Sequence, residues 1–237
     1  MAISELDLPT GVVAHSLADA EGQARVMADC VVKVLDYAVR THGTASLVVS
    51  GGRSPIPFFE ELSSRELDWS KVQVSLADER WVPPTDEASN EGLVRRHLLQ
   101  NAAAAAQFIG LYHPAATLEE AALMAEQKLA ELKQPIDVLV LGMGDDGHTA
   151  SLFPGNRYLA HALRPDCPER CVAMQAPTTV RARLSMTYPL LASARTQCLA
   201  IQGAAKLETL RQAMSVDALQ MPIRAFIHSP LEIYWCP

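Results

Sequence analysis

The sequence predicts a doubly wound α/β fold, with a mostly parallel sheet and helices on both faces. Short runs rich in Val, Leu and Ile suit strands covered on both sides, and these runs are residues 45–50, 72–77, 136–141 and 197–201. Segments with apolar residues at helical spacing separate them. Strands that alternate with helices form right-handed parallel crossovers, so this order favours a layered α/β sheet. No repeat or linker interrupts residues 1–237, so a single domain is expected.

The composition argues against several classes of protein. Hydrophobic residues make up 49% and charged residues 20% of the chain, and no apolar run reaches membrane-spanning length. We therefore expect no membrane partner. A formal net charge of -7 disfavours a nucleic-acid partner. Residues 1–7 are acidic where a signal peptide would be basic, so a cytoplasmic location is expected.

The five cysteines do not have the pattern of a disulfide framework. They are odd in number and scattered, and most are expected to be reduced and buried: Cys30, Cys167, Cys171, Cys198 and Cys236. Cys167 and Cys171 are close in sequence, but no second pair of cysteines or histidines stands at zinc-ligand spacing. The sequence therefore predicts no metal and no cofactor.

Three amphipathic segments predict helices. Apolar side chains recur at helical spacing over residues 15–41, 90–98 and 118–132. Ser89 or Asn90 is expected to cap the second of these helices. Residues 102–106 are alanine-rich and favour a helix without indicating a function.

The turn after the first predicted strand has the features of a phosphate-binding turn. The strand at 45–50 runs through Gly51-Gly52 into a helical pattern, for which Ser54-Pro55 supplies an expected serine N-cap and a proline at the first position. Free backbone N–H groups at such a turn bind phosphate, and Ser50 and Arg53 are additional donors. An ordinary strand-to-helix turn is the alternative.

Charged residues follow the second predicted strand directly. Asp78, Glu79 and Arg80 come immediately after residues 72–77. In open parallel sheets ligands lie outside the carboxyl ends of the strands, so these charges fall on the expected functional edge. Arginine there is suited to a phosphate or carboxylate. A surface salt bridge between neighbouring charges is the alternative.

The strand at 136–141 leads into a glycine-rich loop that carries the main candidate for a catalytic base. Three glycines occur within six residues, and His148 follows the last of them. Histidine is the side chain whose ordinary pKa lies nearest neutrality, so it is a natural general base at a strand's carboxyl end. Asp145 or Asp146 is expected to orient its ring, and the sequence does not decide between them. A solvent-facing histidine in a turn is the alternative.

The remaining segments supply two more cations. Residues 158–170 are polar and are expected to form an excursion near the site. Arg183 lies on a predicted strand with one polar face and is a candidate to face the ligand. Lys206 lies in the first turn of a predicted helix, where a cation opposes the helix dipole and an anion would compensate it. Further strands are expected at 171–176, 183–187 and 231–236.

Taken together, these segments resemble the 6-phosphogluconolactonase family over nearly the whole chain. The motifs that carry the resemblance are Ser50-Gly51-Gly52-Arg53-Ser54-Pro55, Asp78-Glu79-Arg80-Trp81-Val82, Ser89-Asn90, residues 142–155, residues 183–187 and Gly203-Ala204-Ala205-Lys206. The family often has Thr-Pro after Ser-Gly-Gly-Ser, and this chain differs at Arg53-Ser54-Pro55. The role of Arg53 is therefore open.

The resemblance implies a fold shared with glucosamine-6-phosphate deaminases and ribose-5-phosphate isomerases. It also implies hydrolysis of 6-phosphoglucono-δ-lactone, a small sugar-phosphate lactone, without a required metal. His148 would be the general base, assisted by Asp146, and Arg80 and Lys206 would bind the anion. The full set of expected substrate-binding residues is Ser50, Gly51, Gly52, Arg53, Asp78, Arg80, Arg183 and Lys206.

Two other functions and one other mechanism are weighed against this one. A glucosamine-6-phosphate deaminase shares the glycine-rich loop, but here the loop continues through residues 150–154 without the acidic residue found in those enzymes. A non-catalytic sugar-phosphate sensor has no need of His148. An acyl-enzyme mechanism through Ser50 or Ser151 is disfavoured because neither serine lies in Gly-x-Ser-x-Gly.

Overall fold

A parallel sheet lies at the centre of the computed structural model, which describes residues 3–178 and 180–237. The strands of the described chain are β1 (Val13–Ser16), β2 (Ala45–Val49), β3 (Val72–Leu76), β4 (Asp78–Arg80), β5 (Gln107–Ile109), β6 (Val138–Leu141), β7 (Cys171–Gln175), β8 (Ala182–Met186), β9 (Thr196–Gln202) and β10 (Leu231–Cys236). Seven of them form the parallel sheet, in the order β1-β10-β9-β6-β2-β3-β5. The predicted α/β class with a mostly parallel sheet is confirmed.

The helices are α1 (Ala20–His42), α2 (Ile56–Ser63), α3 (Asn90–His97), α4 (Leu118–Leu129), α5 (Leu159–Ala162), α6 (Tyr188–Ala192) and α7 (Gly203–Ala213). Short 3-10 helices cover Ile3–Glu5, Trp69–Lys71, Asn101–Ala105 and Pro222–Phe226. Every residue of β2 and β6 is buried, because these strands lie in the middle of the sheet. No helix in the described ranges is both long and apolar enough to span a bilayer.

Two of the predicted helix starts are wrong. The first helix begins at Ala20 rather than at residue 15, because the Asp19 side chain accepts a hydrogen bond from the Gly22 N–H (2.8 Å) and residues 13–16 pair with β10 as strand β1. Ser54 does not cap α2, whose N-cap position is Pro55 and has no side-chain hydrogen bond. In contrast, Ser89, one of the two predicted candidates, caps α3 by accepting from the Gly92 N–H at 3.1 Å.

A second, three-stranded antiparallel sheet was not predicted. Its order is β4-β8-β7, and β4 consists of the charged residues that follow the strand predicted at 72–77. A strand of three residues is too short to show, in the sequence, the alternation of apolar and polar residues that identifies a strand. Helix α4 packs on this small sheet, and buried apolar side chains of both sheets belong to one contiguous core.

The strand order creates a switch point between β2 and β6. From β2 the chain proceeds through β3 to β5 at one edge, and it then returns to β6 on the other side of β2 and continues outward to β9 and β10. The connections that leave β2 and β6 therefore diverge and open a crevice at their carboxyl ends. Open α/β sheets bind ligands in such a crevice.

Candidate active site

A cavity of about 370 Å³ lies at this crevice. Segments that follow β2 and β6 line it, together with residues from the small sheet and from the start of α7. Most of the predicted site residues are among the lining residues: Ser50, Gly51, Gly52, Asp78, Arg80, His148, Arg183 and Lys206. The structure thus brings the predicted histidine and three predicted cations to one cavity.

His148 is held by contacts within residues 142–155, here called the histidine loop. The ring nitrogen Nδ1 lies 2.6 Å from Asp146 Oδ1, and the His148 backbone N–H donates to the same oxygen at 3.0 Å. The ring packs on Phe153 with 4.6 Å between centroids. When Nδ1–H donates to the carboxylate, the neutral imidazole presents its lone pair on Nε2. Nε2 is then the nitrogen available to a ligand in the cavity.

Gly144 allows the histidine ring to lie against the loop backbone. A Cβ atom at this position would lie 2.1 Å from His148 Nδ1, closer than any side chain can tolerate. The Gly144 N–H donates to the His148 carbonyl oxygen at 2.8 Å, which closes the loop on itself. Glycine at this position is therefore a condition for the histidine's orientation.

The two aspartates of the loop make different contacts. The hydrogen bond from His148 holds the pKa of Asp146 below its ordinary value, so this side chain remains a carboxylate beside the ring. Asp145 instead accepts from Lys206 Nζ at 2.6 Å. Lys206 also donates to the Met143 carbonyl oxygen at 2.8 Å, which ties the start of α7 to the histidine loop. The sequence did not decide which aspartate contacts the His148 ring, and in the structure it is Asp146.

Arg80 and Arg183, here called the arginine pair, face each other across the small sheet. They are register partners on the antiparallel strands β4 and β8. Within the described ranges neither arginine forms an ion pair with a carboxylate. Like charges directly opposite each other destabilise a sheet, so the pair suits an anion that neutralises it.

The environment of the arginine pair agrees with this interpretation. Burial, followed by the positive charge of Arg80, lowers the pKa of Arg183, which is only 7% exposed. Arg183 donates to the Val180 carbonyl oxygen and to Thr178 Oγ1, and Arg80 Nη1 donates to the Ala88 carbonyl oxygen at 2.6 Å. These bonds fix the guanidinium groups, whereas the buried Arg80 Nε has no partner among the described atoms.

Glu79, between Asp78 and Arg80, joins β4 to α3. Its buried carboxylate accepts from the backbone N–H groups of Arg80, Asn90 and Glu91 at 2.7–2.8 Å. Burial raises the pKa of Glu79 to about 7, against the opposing effect of these hydrogen bonds. The contacts hold the start of α3 against β4, and with it the cavity residue Asn90.

The turn after β2 completes the cavity. Gly52 adopts φ +98°, and a Cβ atom on Gly51 would lie 1.9 Å from Asn90 Oδ1, so both positions favour glycine. The Ser50 hydroxyl is buried and has no partner among the described atoms. Ser151 is different, because its hydroxyl donates to Asp78 Oδ2 at 2.6 Å and the residue is fully buried.

Two predicted site residues, Arg53 and Asp146, do not line the cavity, and Asn90 and Gln202 are among the polar lining residues that were not predicted to bind substrate. The Arg53 side chain is exposed and does not line the cavity, so its predicted substrate contact has no support in its position. Asn90 was predicted as a helix cap, and Gln202, at the end of β9, was not singled out; both line the cavity. The strand-end position of Gln202 was the available signal, by the same rule that identified Asp78.

Comparison with known proteins assigns the family. Residues 18–235 match the model of the family described as glucosamine-6-phosphate isomerases/6-phosphogluconolactonase. This chain belongs to that family. The resemblance predicted from the sequence motifs is therefore confirmed.

Individual members of the family are similar over the full length. The 6-phosphogluconolactonases of Pseudomonas putida and Pseudomonas aeruginosa are each 56% identical to this chain over 238 aligned residues, covering all of this chain and 98% and 100% of theirs. The crystal structure of a 6-phosphogluconolactonase from Shewanella baltica is 39% identical and superimposes with a TM-score of 0.93, covering 97% of this chain and all of that one.

A monomeric glucosamine-6-phosphate deaminase shares the fold. Its structure superimposes with a TM-score of 0.77 over 95% of this chain and 97% of that chain, at 17% identity. At that identity the similarity concerns the fold alone.

Proposed function

We propose that the chain hydrolyses 6-phospho-D-glucono-1,5-lactone to 6-phospho-D-gluconate, as in the oxidative pentose phosphate pathway. The observation that carries the proposal is one cavity that holds both a carboxylate-supported imidazole and an arginine pair with no ion-pair partner among the described residues. Its volume, about 370 Å³, suits one small ligand. The full-length similarity to two 6-phosphogluconolactonases supports the same substrate.

The phosphate binds at the arginine pair. Two guanidinium groups offer several N–H donors in fixed positions, the geometry that recognises a dianionic phosphate. Binding also neutralises the repulsion between Arg80 and Arg183. Backbone N–H groups at Gly51 and Gly52 and the unpartnered Ser50 hydroxyl are further donors in the same cavity. A fixed phosphate orients the sugar ring for reaction.

The lactone carbonyl lies beside His148. Nε2 removes a proton from a water molecule, and the water oxygen attacks the carbonyl carbon. The tetrahedral intermediate collapses with cleavage of the ring C–O bond, and the proton held by His148 passes to the departing oxygen. Asp146 keeps Nδ1 protonated and stabilises the imidazolium that forms between these steps.

Water rather than a serine is the nucleophile. The Ser151 hydroxyl already donates to Asp78 and is fully buried, so it is not positioned for attack. Ser50 faces the cavity, but among the described residues no base contacts its hydroxyl, and an unactivated serine is a weak nucleophile. Ser50 is assigned to ligand binding on these grounds.

The test is a coupled kinetic measurement. Lactone is generated with glucose-6-phosphate dehydrogenase, and its disappearance is followed with and without the chain. We expect hydrolysis well above the spontaneous rate. The same acceleration is expected from His42→Ala, a control at an exposed histidine near the end of α1.

Two other outcomes would assign a different function. Ligand binding without acceleration of hydrolysis would identify a sensor. Ammonia release from glucosamine 6-phosphate would identify a deaminase.

A further inference from the structure

A second group of chemically reactive side chains lies outside the cavity. His161 is on α5, and Cys167 and Glu169 are in the segment that leads into β7. Cys167 Sγ lies 3.6 Å from His161 Nε2 and 3.2 Å from Glu169 Oε2, and those two atoms are 2.8 Å apart. Within residues 3–178 and 180–237 it is the one group of three such ligands found this close together.

The three side chains converge on a single point. A cysteine–histidine–acid catalytic arrangement uses both ring nitrogens, one toward sulfur and the other toward the carboxylate. Here the same nitrogen, Nε2, lies nearest to both. Convergence of S, N and O on one point is instead the geometry of metal ligation.

We propose that His161, Cys167 and Glu169 bind a divalent metal ion of the zinc type, with the fourth position open to water. Zinc accepts Cys, His and carboxylate ligands at about 2.0–2.3 Å, so in tetrahedral geometry the ligand atoms lie about 3.3–3.6 Å apart. The sulfur-to-nitrogen distance already has this value. The histidine and glutamate atoms must separate by roughly 0.5 Å, which two half-exposed side chains permit.

The backbone around the site is held in place. The Thr187 hydroxyl donates to the Glu169 carbonyl oxygen at 2.6 Å, and the Cys167 N–H donates to the Arg164 carbonyl oxygen at 3.1 Å. The nearby Arg164 is paired with Asp166 at 2.7 Å, so its positive charge is offset. Thiolate and carboxylate together balance the charge of a divalent ion. The ligands therefore need little reorganisation of the chain to bind it.

The site is separate from the candidate active site. None of the three residues lines the cavity. They adjoin the Cys171 end of β7, whereas Arg183 pairs with Met174, nearer the other end of that strand. The sequence predicted no metal because no second pair of cysteines or histidines accompanies Cys167 and Cys171. In the structure the groups beside Cys167 are instead His161 and Glu169. The metal therefore stabilises the segment before β7 and does not enter the hydrolytic chemistry.

The test uses the full untagged chain, stripped with a chelator and titrated with Co²⁺ and then Zn²⁺. We expect a near-ultraviolet thiolate-to-cobalt absorption band that Zn²⁺ abolishes, and a higher Tm with Zn²⁺. Cys167→Ser should lose the band, and His161→Ala and Glu169→Gln should each weaken Co²⁺ binding at least about 10-fold. Cys30→Ser, at a half-exposed cysteine, is the matched control and should keep the absorption band.

Three results would overturn the proposal: no band in the unaltered chain, a band that survives Cys167→Ser, or a band lost in Cys30→Ser. If Cys167→Ser does not fold, the two partly exposed positions, His161 and Glu169, decide the matter, and unchanged Co²⁺ affinity in both would refute the site. The result is independent of the hydrolytic function, because lactone turnover is expected to be equal with and without Zn²⁺.

Discussion

The histidine loop and the arginine pair line one cavity, and the chain builds them by different means. In the histidine loop His148 and its carboxylate partner are two residues apart, and Gly144 closes the loop by a backbone hydrogen bond. The arginine pair joins residues that are distant in sequence through the register of β4 and β8. The loop therefore depends on local geometry, whereas the pair depends on how an entire small sheet assembles.

On the proposed function, this difference separates the groups that carry out the reaction from the groups that bind the phosphate. A change at His148 or Asp146 alters the ring or its hydrogen bond and removes no contact to the small sheet, so it should affect turnover more than affinity. A change in the arginine pair removes a charge that the ligand neutralises, so it should affect affinity more than turnover. The following substitutions test this division, in order of decreasing expected effect.

His148→Ala should lower kcat by roughly 10²- to 10⁴-fold, because general-base catalysis contributes about that much. The affinity for 6-phosphogluconate, measured by calorimetry, should change little because the arginine pair is untouched. His42→Ala is the control for both measurements. An equal loss of affinity and turnover in His148→Ala would mean that the histidine holds the ligand or the fold.

Arg80→Ala and Arg183→Ala should each weaken 6-phosphogluconate binding by roughly 10- to 100-fold, since a charge-assisted hydrogen bond contributes about 1.5–3 kcal/mol. Inhibition by gluconate, which lacks the phosphate, should change much less. Arg181→Ala, at an exposed arginine outside the cavity, should leave both ligands unaffected. If both ligands weakened alike, the arginine pair would not be the phosphate site.

Asp146→Asn should lower kcat about 10-fold, the low end of the range for a hydrogen bond to a charged group, because Asp146 is partly exposed. The neighbouring change Asp145→Asn is the matched comparison, since Asp145 contacts Lys206 and not the ring. We expect it to leave kcat nearly unchanged in steady-state assays. A larger effect from Asp145→Asn would reverse the roles of the two aspartates.

Glu79 should make folding stability depend on pH in an unusual direction. Its pKa is raised from an ordinary value of 4.5 to about 7, so between these values the folded chain binds more protons than the unfolded chain. The free energy of unfolding contributed by this group is therefore greatest below pH 4.5 and decreases as the pH rises through 7. In denaturant titrations, the free energy of unfolding of the unaltered chain minus that of Glu79→Gln should decrease as the pH rises over this range. A constant or increasing difference would contradict the raised pKa.

The same contrast explains what the sequence could predict. Residues 136–148 combine a buried strand, glycines and a histidine within a short stretch, so their arrangement depends on local rules and was predictable. The strand β4 was missed because Asp78–Arg80 is short and charged, and only pairing with β8 makes it a strand. That Arg80 and Arg183 would face each other depends on this long-range register, which no local pattern contains.

Smaller errors have similar physical causes. The first helix was extended back to residue 15 although its apolar stripe begins at Ala20, and only pairing with β10 identifies residues 13–16 as an edge strand. Ser54 has the sequence of a cap, but the Ile56 N–H donates to the Arg53 carbonyl oxygen, and the turn leaves the serine hydroxyl unused as a cap. The two aspartates are adjacent in the sequence, and only their side-chain positions show that Asp146, and not Asp145, contacts the His148 ring.

The arginine pair also bears on how the reaction ends. On the proposed function, the phosphate is the same group before and after hydrolysis, so the pair cannot distinguish lactone from acid. Opening the ring, however, creates a new carboxylate beside His148, whose Nδ1 is bonded to the charged Asp146. Repulsion between the new carboxylate and Asp146 would weaken binding of that end of the product while the phosphate is still bound by the arginine pair. Departure of the acid is therefore favoured by charge generated in the reaction itself, without any movement of the guanidinium groups.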